Sequence, residues 1–386
     1  MARQARIAAT GLISSLGKGV ADSVRTLMAT DERKAGQLAL AGFEEPLSVS
    51  YHGVDGGPDD AEERLAWLLD QALAELFERE PLSAPQRAGM PVFIGSSCYG
   101  IGMGESRYRQ QLAQSPTSAM PLPLDGFGQI SRHLQTQYGL TGPDFSLNTA
   151  CTATANALLG ALTAIRNGQS DRALVVGLEA RNHTTLAGFH GMQLMATDTM
   201  RPFDRRRDGL VLGEGCGVLL LEADQGTSGG CYLAGGASNC DTYSISASHP
   251  DGSSIAAVMA AALADAGITG EQIQAIKAHG TATPLNDTSE AAGMRRLFHE
   301  LPDFFSLKSA LGHTLGSCGV METILMEACL GQSRLPASAG FAEADDALQV
   351  APMTAERGAE DGSYLLNFFG FGGNNASLVL TRRSGP

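Results

Sequence analysis

The chain has 386 residues, of which 43% are apolar, 6% aromatic and 18% charged; that length is enough for about two to three units of roughly 150 residues and excludes disordered, collagen-like and coiled-coil classes. Lys and Arg number 27 against 41 Asp and Glu, a formal charge of -14, which argues against a general nucleic-acid or anionic-membrane surface and obliges any acidic partner to find a local basic patch. No run of about 18 uninterrupted apolar residues predicts a membrane span.

Taken in chain order, the first 17 residues place basic side chains before an apolar stretch, but Thr10, Ser14 and Ser15 interrupt it and it reads as a first strand. Short Val, Ile and Leu runs then alternate with stretches of helical period, the pattern of an α/β protein whose strands are covered on both faces. Strands are predicted at 6–10, 91–95, 145–148, 173–177 and 217–222, then at 231–235, 273–279, 304–307, 364–367 and 376–380. Residues 60–79 and 152–166 carry small and apolar side chains at three- and four-residue spacing and are predicted to be helices. The linker-like stretch 226–230 divides the chain into halves at 1–225 and 226–386. PDFSLN at 143–148 is echoed by PDFFSLK at 302–308, each ahead of a small-residue helix. The echo predicts two related α/β units with the chemistry at their seam.

Seven scattered cysteines, none in a C-x-x-C pair, read as reduced thiols of a cytosolic protein with no metal site. Cys151 stands apart. In SLNTACTATA it follows a strand read as buried and opens a helix, where free N–H groups and the helix dipole are expected to lower its pKa and supply a nucleophile. In KAHGTATPLND a strand delivers His279 into a loop with Thr281 and Thr283, whose hydroxyls suit a polar chain lying across a cleft. In SLKSALGHTLGS, Lys308 sits at the end of an apolar strand where burial demands a partner, and Glu322 is placed either to satisfy Lys308 or to orient His313. The turn Gly370-Phe371-Gly372-Gly373 follows a strand and allows the close backbone approach that an oxyanion-binding N–H needs.

Together these stretches resemble the β-ketoacyl-acyl-carrier-protein synthases, the elongating condensing enzymes of the thiolase superfamily. The likeness runs from ATGL at residue 9 through TAC at Cys151, RPFDRRRDGLVLGEG from Arg201, HGTATP and KSALGHTLG, to FGFGG near the end. It implies a thiolase-like fold, two related α/β halves in a layered αβαβα arrangement. It also implies acyl transfer to Cys151 from the phosphopantetheine of an acyl carrier protein, then attack by an enolate formed when malonyl loses CO2. His279 and His313 would stabilise that enolate, the N–H groups of Cys151 and Phe371 would form an oxyanion hole, and Gly370 and Gly372 would bind substrate. Thr281 and Thr283 would hold the pantetheine, and Phe371 would gate the acyl tunnel.

The resemblance further implies a cytoplasmic protein without cofactor, a homodimer or a heterodimer with a paralogous chain, and an interface at the strand before Cys151. Arginines 201, 205, 206 and 207 are candidates for docking the acidic carrier or for ion pairs with Asp204 and Asp208. The segments 103–126 and 194–201 are shorter than the family pattern and Asn374 replaces its usual Thr, which brings a specialised polyketide or aryl polyene synthase into view. The rival reading is a non-catalytic chain-length factor of the same fold.

Overall fold

The computed structural model describes residues 3–40, 43, 45, 47–115, 126–224 and 229–385. Five strands come from the first half: β1 (Gln4–Ser14), β2 (Val92–Gly95), β3 (Asp144–Leu147), β4 (Arg172–Glu179) and β5 (Gly215–Asp224). Five come from the second: β6 (Gly230–Cys240), β7 (Ile273–Lys277), β8 (Phe304–Phe305), β9 (Gly362–Phe369) and β10 (Asn374–Arg383). All ten predicted strands are present, although 273–279 stops at Lys277 and leaves His279 in a loop.

Hydrogen bonds connect these strands in the order β3-β2-β4-β5-β1-β6-β10-β9-β7-β8. Counted outward from the centre, the first half reads 1-5-4-2-3 and the second 6-10-9-7-8, the same order with five added. Within each half the second strand is parallel to both of its neighbours, and the remaining pairs are antiparallel. The halves join antiparallel through Ala5 with Leu233 and Arg6 with Tyr232. The echoed sequences contain β3 and β8, the opposite edges of this array. The linker lies partly, and the stretch 103–126 largely, outside the described residues.

Helices α2 (Ala153–Arg166) and α6 (Cys318–Gly331) touch strands of both halves and form a middle layer. One outer face is covered by α1 (Ala61–Arg79), packed on β1 and β5; the other by α4 (Ser253–Ala266), packed on β6 and β10. Strand periodicity makes this layering work. In β4, Ala173 and Val175 join the central apolar cluster while Leu174 and Val176 join the one under α1. In β9, Tyr364 and Leu366 face the centre while Leu365 and Phe369 face α4. A helix covered all round must be apolar all round, and α6 (CGVMETILMEACLG) is buried from Cys318 to Met326. The two middle helices nearly touch: a Cβ on Gly319 would lie 2.3 Å from the Ala155 nitrogen. Thr154 clamps them, its hydroxyl donating to Gly316 O at 2.6 Å and accepting from the Val320 N–H at 3.0 Å.

One expectation is corrected here. The strand before Cys151 is not buried in this chain: β3 is an edge strand, and Phe145 is 49% exposed while stacking on Phe93 at 4.9 Å. Its apolar run resembles a core strand because Phe and Leu favour strands wherever a second surface covers them.

Candidate active site

The chain leaves β3, turns through Ala150 in the left-handed region (φ 51°) and presents Cys151 just before Thr152, the residue that caps α2. A non-glycine residue in that region is strained, and such strain gathers at functional sites. The Cys151 thiol is buried, and its Sγ lies 3.1 Å from Nε2 of His313. His313 occupies the loop ahead of α6. Its N–H donates to Val211 O at 2.8 Å, and its carbonyl accepts from the Gly213 N–H at 3.0 Å. The RDGLVLGEG stretch therefore holds the His313 backbone.

His279 arrives from the other half, just beyond β7. Glu290, on helix α5 (Pro284–Leu297), accepts from the N–H groups of His279 and Gly280 at 2.7 and 2.8 Å. The two imidazoles stand edge to face with centroids 5.4 Å apart, and Nδ1 of each is buried without a partner. The glycine turn closes the third side: the Phe371 N–H reaches the Cys151 sulfur, and the Phe371 ring stacks on Phe189 of helix α3 (His183–Gly191) at 5.6 Å. Gly373 must be glycine, since its φ is 73° and a Cβ would fall 1.7 Å from the Asp241 carbonyl oxygen.

Lys308 is fully buried, and Glu322 meets it in a salt bridge as the sequence allowed. Glu322 serves a second ammonium as well, that of Lys277, and makes no recorded contact with His313. Glu322 thus satisfies lysines rather than orienting the histidine.

The electrostatics reverse one expectation. Burial pushes the Cys151 thiol up to about 12, against the pull of the Lys308 ammonium and the Phe371 N–H. Burial also holds both imidazoles well below the ordinary histidine range, reinforced by Lys308. Both shifts favour a neutral thiol beside a neutral imidazole. Sequence suggested a dipole-stabilised thiolate; desolvation in the middle layer outweighs that effect.

A cleft opens onto Cys151, His279 and His313 and is lined also by Thr281, Thr283 and Leu285. The two threonine hydroxyls are 2.9 Å apart, and Gly370 and Phe371 form part of the same wall. The candidate docking arginines all have acidic partners within this chain: Arg201 with Glu32, Arg205 with Glu343, Arg206 with Asp204 and Arg207 with Asp345. The expected pair with Asp204 is present, whereas Asp208 accepts from Thr197 instead.

Two family patterns cover most of the sequence, the N-terminal domain of β-ketoacyl synthases over residues 24–226 and the C-terminal domain over 231–342. The chain belongs to the β-ketoacyl synthase family. Among curated relatives, the 3-oxoacyl-[acyl-carrier-protein] synthase 2 of Vibrio cholerae is 29% identical over 98% of this chain and 99% of its own length. The synthase of the same name from Vibrio harveyi is 32% identical over 76% of each chain. Among solved structures, a ketosynthase in complex with its chain length factor from Xenorhabdus doucetiae superposes with a TM-score of 0.86 at 28% identity, covering 99% of this chain and 98% of that one. A β-ketoacyl synthase from Burkholderia phymatum gives 0.82 at 25%, covering 99% and 100%. The fold is thiolase-like, and the protein is a condensing enzyme of the acyltransferase type. Among the described residues no helix is long and apolar enough to cross a membrane.

Several residues of this synthase's site escape a reading of the sequence. Glu290 lies eleven positions beyond His279, and Phe189 sits in an unremarked helix. Glu179, buried and pushed up to about 7, accepts from the N–H groups of Ser97, Cys98 and Gly316 and so ties the loop after His313 to the first half. Lys277 carried a signal, a lysine closing the apolar run Ile273–Lys277.

Proposed function

We propose that this synthase catalyses decarboxylative Claisen condensation between an acyl group carried on Cys151 and malonyl on an acyl carrier protein. The observation that carries the reading is the 3.1 Å approach of His313 Nε2 to the Cys151 sulfur, with the second imidazole edge-on to the first at the floor of an open cleft.

In the first half-reaction the Cys151 thiol attacks the incoming thioester, its proton passing to His313 Nε2 and on to the departing pantetheine thiol. A neutral imidazole is the form able to accept it. In the second, the malonyl C–C bond breaks, CO2 leaves, and the electron pair becomes a thioester enolate that receives hydrogen bonds from His279 and His313. The enolate carbon attacks the acyl-Cys carbonyl, and the oxyanion is met by the N–H groups of Cys151 and Phe371. Collapse forms the ketone and expels the Cys151 sulfur as a thiolate, which takes one proton from solvent. Because Nδ1 of His313 has no partner, neither tautomer is imposed, and the ring can accept in one half-reaction and donate in the other. Thr281 and Thr283 hydrogen-bond the pantetheine amides, Gly370 and Gly372 set the turn, and Phe371 gates the acyl group. Lys308, held by Glu322, acts on both imidazoles through its charge. The scheme calls on no metal or nucleotide.

The domains fall at 1–225, carrying Cys151, and 226–386, carrying both histidines. The protein acts in the cytoplasm in fatty-acid, polyketide or aryl polyene synthesis. It pairs through the exposed edge β3 with a second copy or a paralogous chain; the similar ketosynthase of X. doucetiae is complexed with its chain length factor. Within such a pair this chain is the catalytic member, since the Cys151, His279 and His313 constellation is intact. The test is to supply the purified chain with acyl and malonyl carrier proteins beside the Cys151→Ala variant. Condensation by the unmodified chain alone is expected; activity that appears only with an added paralogue and survives Cys151→Ala would make this chain the non-catalytic partner.

A further inference from the structure

Two of the chain's four lysines, Lys277 and Lys308, are fully buried and end on the two oxygens of one carboxylate, Glu322. Lys308 belongs to the KSALGHTLG motif. Lys277, at the end of β7 and two residues before His279, has no part in the scheme above. Its ammonium also donates to the Asn367 carbonyl at 2.6 Å and lies 3.7 Å from the centre of the Phe368 ring. From the other side of Asn367, the amide Nδ2 lies 3.4 Å from Glu290, the carboxylate that holds the His279 and Gly280 backbone.

A single carboxylate shared by two ammoniums leaves positive charge in the buried interior, and an apolar side chain at the end of β7 would avoid that cost. The groups facing Lys277 and its charge are Glu322 and Cys318 of α6, Lys308, His279, His313, and Glu290 of α5. Glu290 lies behind Asn367, on the backbone side of the His279 loop, and both imidazoles feel the two lysines.

We propose that Lys277 is a positioning residue for the condensation: its ammonium joins the Glu322–Lys308 pair to the Asn367–Glu290 group that holds His279, and so places a fixed positive charge behind both imidazoles. The inference rests on the condensation reading for what those imidazoles do. Burial and the Lys308 ammonium hold both rings low, and the Lys277 charge adds to them.

The experiment follows the imidazole C2 protons of the full chain by NMR from pH 5 to 8, with His279→Asn and His313→Asn for assignment, in the unmodified protein and in Lys277→Met and Lys277→Gln. In the unmodified chain neither ring is expected to titrate in that window; in the variants at least one enters it. The acid limb of kcat moves up by about one pH unit, a loss of up to about threefold at pH 5.5 that approaches tenfold only below both midpoints, with KM changed less than twofold. A purely structural lysine would lower activity without moving that limb. Folded variants whose rings and acid limb stay in place overturn the proposal. So do rings that titrate near their ordinary midpoint in the unmodified chain, a result that needs no variant to fold. Ring titration needs no turnover, so a chain with suppressed imidazoles but no condensation would count against the reaction and leave the role of Lys277 standing.

Discussion

Replacing Glu322 by Gln removes the one negative charge between Lys277 and Lys308. The amide keeps one acceptor oxygen, which serves a single ammonium, and turns an N–H2 donor toward the other. Removing one partner of a buried ion pair costs about 3–5 kcal/mol. Two fully buried ammoniums lose the same partner here, which places the change in the upper half of that range, about 4–5 kcal/mol. An unfolding entropy of roughly 2.1 cal/mol/K per residue over 386 residues is about 0.8 kcal/mol/K, so Tm should fall by about 5–6 °C.

The assay is thermal unfolding at pH 7 and pH 9. Burial already draws Lys277 down to about 8 with Glu322 present, and without Glu322 its folded-state pKa falls further while the unfolded value stays near 10.4. Between those values the unfolded chain binds the extra proton, so stability rises with pH, and the rise begins earlier in the variant. The deficit at pH 7 should therefore narrow at pH 9. Adding Lys277→Met to Glu322→Gln should recover part of it, because one unpaired ammonium goes. A Tm unchanged within about 1 °C, or a deficit that widens with pH, would refute the shared-carboxylate account.

Iodoacetamide at pH 7 should label Cys240, the one exposed cysteine among the seven, before Cys151. Cys151 labelling should climb about tenfold per pH unit through pH 9, as a thiol held at about 12 requires; a flat profile from pH 6, read by peptide mass spectrometry, would establish a resting thiolate. Gly373→Ala drives a methyl group into the Asp241 carbonyl, so condensation should fall at least about a hundredfold, about 2.7 kcal/mol, as for a lost oxyanion donor; activity within threefold of the unmodified chain would mean that the turn yields. Arg205→Ala should leave KM for a carrier-bound substrate within about twofold, because the guanidinium, though exposed, is already paired with Glu343; a tenfold rise would restore Arg205 to the docking surface.

The layers were legible because Val, Ile and Leu runs mark strands buried on both faces, and the echo of 143–148 in 302–308 foretold the repeated strand order. Cys151 and His279 stood out because small residues and glycines surround a reactive side chain near a strand end, and His313 stood out through the family resemblance of KSALGHTLG. What stayed hidden depends on distance in space. Glu290, Glu179 and Phe189 act across gaps that no spacing rule spans, and the exposure of β3 depends on whether a second surface covers it. The thiol's pKa was misjudged for a related reason: a helix start is written locally, whereas the desolvation of Cys151 comes from β-strands of both halves closing over α2 and α6. The arginines from Arg201 to Arg207 read as either a docking patch or local ion pairs with Asp204 and Asp208; Arg206 pairs with Asp204, while Glu32, Glu343 and Asp345 reach the others from distant segments.

The middle layer has a consequence for biosynthesis. Helix α2 is made early, yet part of its covering comes from β6 and β10, which leave the ribosome later. At roughly 5–20 residues per second, the last 160 or so residues take on the order of 8 to 30 seconds to appear. Throughout that interval the nascent first half displays Leu158, Ala161 and their neighbours as a sticky patch. Chaperone demand should therefore peak during translation of the second half, and a truncated message encoding only the first should yield insoluble product.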